Sequence, residues 1–104
     1  MTHPNIIPMQ FPHGQAVLRA ISEATEIPLV RLTGGERNQP LVRARWVFCW
    51  VMHQTSGYSL PEIGRLIGRD HTTIMHGLRR ARELRASDPG FRHWTDELAA
   101  RFGE

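Results

Sequence analysis

The side chains best suited to recognition chemistry are gathered between Ser59 and His76, in the run SLPEIGRLIGRDHTTIMH. Asp70, His71, Thr72 and Thr73 follow one another there, offering carboxylate, imidazole and hydroxyl groups, with Arg69 before them and His76, Arg79 and Arg80 after. Such groups match the base edges of duplex DNA: a carboxylate accepts from cytosine N4, and threonine methyls meet the methyl of thymine. Guanidinium groups fit phosphate by charge and by their forked geometry. Catalytic patterns are missing. There is no G-x-x-x-x-G-K-[ST] phosphate loop, no G-x-S-x-G elbow and no Cys-His nucleophile arrangement, so no enzyme is expected. His71 and His76 are five apart, on different faces of a helix, and the single cysteine builds no zinc cluster, so neither metal nor cofactor is expected.

Two helices must present this chemistry. Ser59 and Glu62 have the S-x-x-E spacing of a capping box, which starts a helix at about Leu60. Ile63, Leu66 and Ile67 share one side of it, and Gly68 is able to take the left-handed conformation that ends a helix. Asp70 then caps a second helix from His71 past Leu84, with Ile74, Leu78, Ala81 and Leu84 as its apolar stripe. Two helices joined by a turn of about three residues containing glycine form the outline of a helix-turn-helix. In that motif the first turn of the second helix faces the bases, and here that turn is polar.

GRDHTTIMH, preceded by SLPEIG, resembles the signature of the C-terminal DNA-binding domain (domain IV) of the bacterial replication initiator DnaA. The resemblance extends to Leu41-Val42-Arg43-Ala44-Arg45, similar to the basic start of that domain's long central helix, and back to a first helix near Gln15 to Thr25. It covers most of residues 15 to 86 and includes no part of the initiator's ATPase module. It implies an all-α fold, a small helical bundle of the Trp-repressor-like type. It also implies that Asp70, His71, Thr72 and Thr73 read bases or nearby phosphates, that Arg45 contacts the DNA backbone or nearby bases, and that Arg37 reaches into the minor groove. Arg43, Ser59, Leu60, Arg69, His76, Arg79 and Arg80 complete the expected DNA-contacting set. Three departures from the family pattern stand near that surface. One glycine, Gly68, precedes Arg69 where the family usually has two; Gly34, Gly35 and Glu36 make the Arg37 loop less basic; Trp46 replaces a commonly polar residue.

At 104 residues the chain is expected to be one helix-turn-helix domain over 14–104 behind a flexible N-terminal arm over 1–13. The arm holds Pro4, Pro8 and Pro12 among apolar residues; it reads as a tail folded on the domain or a short linear motif for a partner. All thirteen basic residues are arginine, and the net charge is +3. Ten arginines against four acidic residues lie between Arg31 and Arg85, so the basic excess sits on the motif and its flank. Cys49, in an apolar run, reads as a buried thiol. No stretch is long and apolar enough for a membrane span and no secretory signal opens the chain, which fits a cytoplasmic, nucleoid-associated protein.

Gln15 to Thr25 reads as the first helix, followed by a short helical turn from Pro28 through Leu32 and a loop from Thr33 to Pro40. The next helix, Leu41 to Thr55 with a stop at Gly57, is apolar nearly all round and reads as the central buried helix. Trp46 and Trp50 share one side of it, either in the core or as an exposed patch. A closing helix follows Asp88-Pro89-Gly90, with Phe91, Trp94, Leu98 and Phe102 facing the bundle. The expectation is a sequence-specific double-stranded DNA-binding protein that recognises sites like the initiator's box and regulates replication initiation or transcription, with the initiator or its regulators as further partners and no small-molecule substrate. The alternative is a helical adaptor that binds a replication-initiation protein through Trp46, the arm or the closing helix.

Overall fold

The computed structural model describes residues 12–103, which form six helices and, among those residues, no strand. They are α1 (Pro12–Thr25), α2 (Leu29–Leu32), α3 (Gln39–Thr55), α4 (Leu60–Ile67), α5 (His71–Ser87) and α6 (Pro89–Phe102). The all-α expectation holds. Most of the expected arm, residues 1–11, lies outside the described residues; Pro12 and His13 belong to α1 rather than to the arm. His13 is tied down, with Nε2 2.7 Å from Thr55 Oγ1 at the far end of α3.

The central helix is α3, packed against α1, α5 and α6. Its apolar run explains the placement: Val47, Phe48, Val51 and Met52 are fully buried among Val17 and Ile21 of α1, Ile63 and Ile67 of α4, and Ile74 of α5. A helix that is apolar on most sides can only be stable inside. Truncating Phe48 to alanine would open a cavity costing roughly 3–5 kcal/mol, a large share of the few kcal/mol that hold a domain of this size.

Helix boundaries follow local hydrogen-bonding chemistry. Asn38 caps α3, its side chain accepting from Leu41 N at 3.1 Å, with Pro40 in the first turn where no amide is needed. The stop comes earlier than Gly57: Ser56 is the C-cap in extended backbone, its hydroxyl donating to Met52 O at 2.7 Å, so the chain leaves the helix without a left-handed glycine. Asp88 serves two helices, ending α5 through its amide on Leu84 O at 2.7 Å and capping α6 by accepting from Phe91 N at 3.1 Å. The break between α5 and α6 is thereby confined to one residue.

Candidate nucleic-acid interface

The capping box at the start of α4 is complete. Ser59 Oγ accepts from Glu62 N at 3.2 Å, and Ser59 N donates to Glu62 Oε1 at 2.8 Å. Helix α4 ends at Gly68 with φ 70, where a side chain would be strained. The amides of both Gly68 and Arg69 donate to Gly64 O, the latter at 2.8 Å. This closure leaves no room on Gly64: a Cβ there would collide with the Arg69 carbonyl. The three-residue turn is therefore made possible by a glycine inside α4 as well as by the one that follows it.

Asp70 then caps α5, Oδ1 accepting from Thr73 N at 3.0 Å. That amide, more than any nearby charge, holds the carboxyl below the ordinary aspartate range. Ile74, Gly77, Leu78 and Ala81 turn inward from α5, and Gly77 lets it lie against Cys49 and Trp46. His71, Thr72, Thr73, Met75, His76 and Arg79 are consequently exposed on the outward side. Five of these six, together with Arg80, were expected from sequence to contact DNA beside Asp70, and they emerge as one continuous strip of the helix.

The loop between α2 and α3 is fastened beside this strip by two arginines. Arg45, buried at 7 % exposure, points its guanidinium into the loop and donates from Nε to Leu32 O at 2.8 Å, from Nη2 to Arg31 O and Gly34 O at 3.0 Å each, and from Nη1 to Glu36 O. Burial, followed by the proximity of Arg69, lowers its pKa. Arg69 donates to Ile67 O at 3.0 Å and across to Gly34 O at 2.6 Å, so Gly34 O accepts from both arginines. The helix-turn-helix turn and the loop are thus one hydrogen-bonded unit. Arg37 projects from it, exposed and without a hydrogen-bond partner among the described residues.

Between loop, α3 and α5 lies a cleft of about 490 Å³, lined by Arg37, Arg69, Trp46, Thr72, Thr73 and His76 among others, with no carboxylate. Cys49 lies at its apolar base, where burial pushes the thiol up to about 12 and keeps it protonated. A cationic, carboxylate-free recess opening onto exposed hydroxyls is suited to a polyanion that also presents hydrogen-bonding groups.

Several arginines expected on DNA have other partners. Arg45 is buried with its guanidinium on loop carbonyls, and Arg69 turns Nη1 onto Ile67 O and Nη2 onto Gly34 O. Arg43 pairs with Asp88 at 2.8 Å and lies 5.7 Å from the Phe91 ring centroid, which binds α3 to the start of α6. Its guanidinium holds Asp88 below the usual carboxylate range. Arg80 pairs with Glu83 at 2.6 Å and stacks 5.1 Å from the Trp46 ring. Trp46 is accordingly half-buried under an arginine and does not form a bare patch; Trp50 is covered in the same way by Arg85 at 4.6 Å. Arg79, 3.2 Å from His76 Nδ1, remains exposed on the strip. Ser59 is exposed and Leu60 half-buried at the start of α4.

Sequence reasoning passed over Met75, Gly64 and the anchoring role of Arg45. For Met75 the signal was available, because it is out of phase with the Ile74, Leu78 and Ala81 stripe. For Gly64 and Arg45 the partners are set by the turn and by packing across the fold.

Comparison with known proteins agrees with this geometry. The model of the bacterial dnaA protein helix-turn-helix matches residues 15–81. Similar curated proteins are chromosomal replication initiator proteins DnaA: that of Caulobacter sp. is 42% identical over 74 residues, 70% of this chain and 15% of its own length. That of Cereibacter sphaeroides is 43% identical over 75 residues, 71% of this chain and 16% of its own; that of Gluconobacter oxydans is 38% identical over 78 residues, 74% and 16%. The chain therefore spans about one sixth of the length of these relatives. With the capped turn, the outward α5 and a match over most of its helices, this chain belongs to the bacterial DnaA helix-turn-helix family.

Proposed function

We propose that this chain binds duplex DNA sequence-specifically at sites like the box read by the DnaA initiators, and that it regulates replication initiation or transcription without catalysing a reaction. The observation that carries this reading is the outward strip of α5, where His71, Thr72 and Thr73 are exposed next to the Arg37 loop and the core stripe faces away. Helix α5 lies in the major groove with its first turn on the bases. Arg37 takes the adjacent minor groove, Arg79 and the start of α4 around Ser59 and Leu60 meet phosphate, and Arg45 and Arg69 hold the loop at the distance that lets both grooves be engaged together. The shortened turn, closed over Gly64, sets the angle at which α5 enters.

The experiment is selection of duplexes from a randomised pool, followed by affinity measurements on the selected duplex, on the initiator family's box and on a scrambled duplex over a range of salt. Sequence-specific reading gives a clear preference over the scrambled duplex and a steep fall of affinity with salt. Equal, weak binding to all three would refute the proposal. The replication initiator and its regulators are candidate protein partners under the same reading. A cytoplasmic, nucleoid-associated location follows from it.

A further inference from the structure

Met75 has no explanation in the core. It is 53% exposed on α5, while Leu29 and Val30, the other exposed large apolar residues among those described, lie on α2. Its neighbours on the outward strip are polar or charged: Thr72 is three residues before it, His76 next to it and Arg79 four residues after it, and all are exposed. Residues three and four apart on a helix touch, so Met75 lies between Thr72 and Arg79 in the middle of the strip. Helical side chains tilt toward the helix N-terminus, which carries the thioether over the His71–Thr72 turn, the end of α5 aimed at the bases. Arg79 and His76 are engaged with each other at 3.2 Å, and the Met75 thioether, a weak acceptor with no donor, is mainly an apolar group.

We propose that Met75 is a specificity-determining residue that packs its thioether against the C5-methyl group of a thymine in the major groove. This rests on the DNA reading proposed above and names one base feature it depends on. The thymine methyl is the one apolar group that base pairs display in the major groove, and an unbranched, polarizable methionine adapts to it where a branched side chain would be confined to fewer positions. The Thr72 methyl group, on the preceding turn, closes the other side of the contact.

The test replaces each thymine of the selected duplex in turn by deoxyuridine, which removes only the C5-methyl. Kd values are measured by fluorescence anisotropy for the wild type, Met75→Gln and Met75→Leu. At one or two positions wild type should lose about fourfold in affinity, the worth of one buried methyl group. Met75→Gln, equal in length but polar, should bind thymine and deoxyuridine duplexes alike at those positions, whereas Met75→Leu should keep the difference. Because Met75 is exposed, all three should have the same helix content by circular dichroism, which separates a reading defect from a folding one. A wild type that prefers the selected duplex over the scrambled one but shows no position where Met75→Gln abolishes deoxyuridine discrimination overturns this inference alone. A wild type that binds selected and scrambled duplexes equally overturns it together with the base reading on which it rests.

Discussion

Arg45 separates two accounts of an arginine near DNA: a phosphate contact, or an anchor for the loop that carries one. Its guanidinium donates four hydrogen bonds, to Leu32, Arg31, Gly34 and Glu36 carbonyls, from a side chain 7 % exposed. Bonds from a charged donor contribute about 1.5–3 kcal/mol each. The Leu32 bond is buried and the other three are partly so, hence water recovers much of the loss at those three carbonyls. Arg45→Met, which keeps the apolar stem, should therefore destabilise the fold by about 2–4 kcal/mol, and at the heat-driven midpoint for a chain of this size that is a fall in Tm of roughly 10–30 °C. Thermal melts followed by circular dichroism measure it. Trypsin, which cuts after Arg31 and Arg37, should cleave the released loop much faster below the midpoint. Arg45→Lys, able to reach fewer of the carbonyls, should fall between. If Arg45→Met melts within about 2 °C of wild type and its loop resists trypsin, yet DNA affinity drops, the anchor account is wrong and Arg45 is a direct contact. The anchor account also requires that Arg45→Met and Arg37→Ala be non-additive in DNA affinity, because the second residue acts only while the first holds the loop.

On the strip itself, Thr72→Ala and Thr73→Ala should relax sequence choice, seen as a smaller ratio of selected to scrambled affinity. Arg79→Ala should weaken every duplex alike and lower the salt slope by about one; Arg80→Ala, already paired with Glu83 and stacked on Trp46, should do so less. Asp70 and Asp88 both titrate below their ordinary values in the folded chain, through the Thr73 amide and the Arg43 guanidinium respectively. Their stabilisation is present above the unfolded aspartate pKa of about 3.9 and is lost as pH falls through the folded values. Asp70→Asn, a comparable cap that does not titrate, should accordingly flatten the acid limb of a urea-stability profile; an unchanged limb would show that the Thr73 bond carries no charge-linked stability. Gly64→Ala should cost about 1–3 kcal/mol in a urea titration, as overpacking does, since the Arg69 carbonyl that its Cβ would meet is backbone and can move only by opening the turn.

Much of the site was legible because its signals are local. Ser59 and Glu62, Gly68, and Asp70 with Thr73 act over three or four residues, and each made the hydrogen bond or backbone angle its spacing implied. The apolar stripe of α5 likewise told which residues turn inward, and so which turn out. Helix ends were less secure: Gly57 was the obvious stop for α3, but the Ser56 hydroxyl closed the helix first.

The sequence by itself thus determined an all-helical chain with a capped helix-turn-helix whose polar first turn faces out, because capping, turn and periodicity are chemistry between near neighbours. Only the tertiary structure decided what each arginine does. Arg45 reaches loop carbonyls nine to fourteen positions away, Arg69 one thirty-five away and Arg43 a carboxylate forty-five away. A guanidinium attaches wherever packing brings an acceptor, and no spacing along the chain records that encounter.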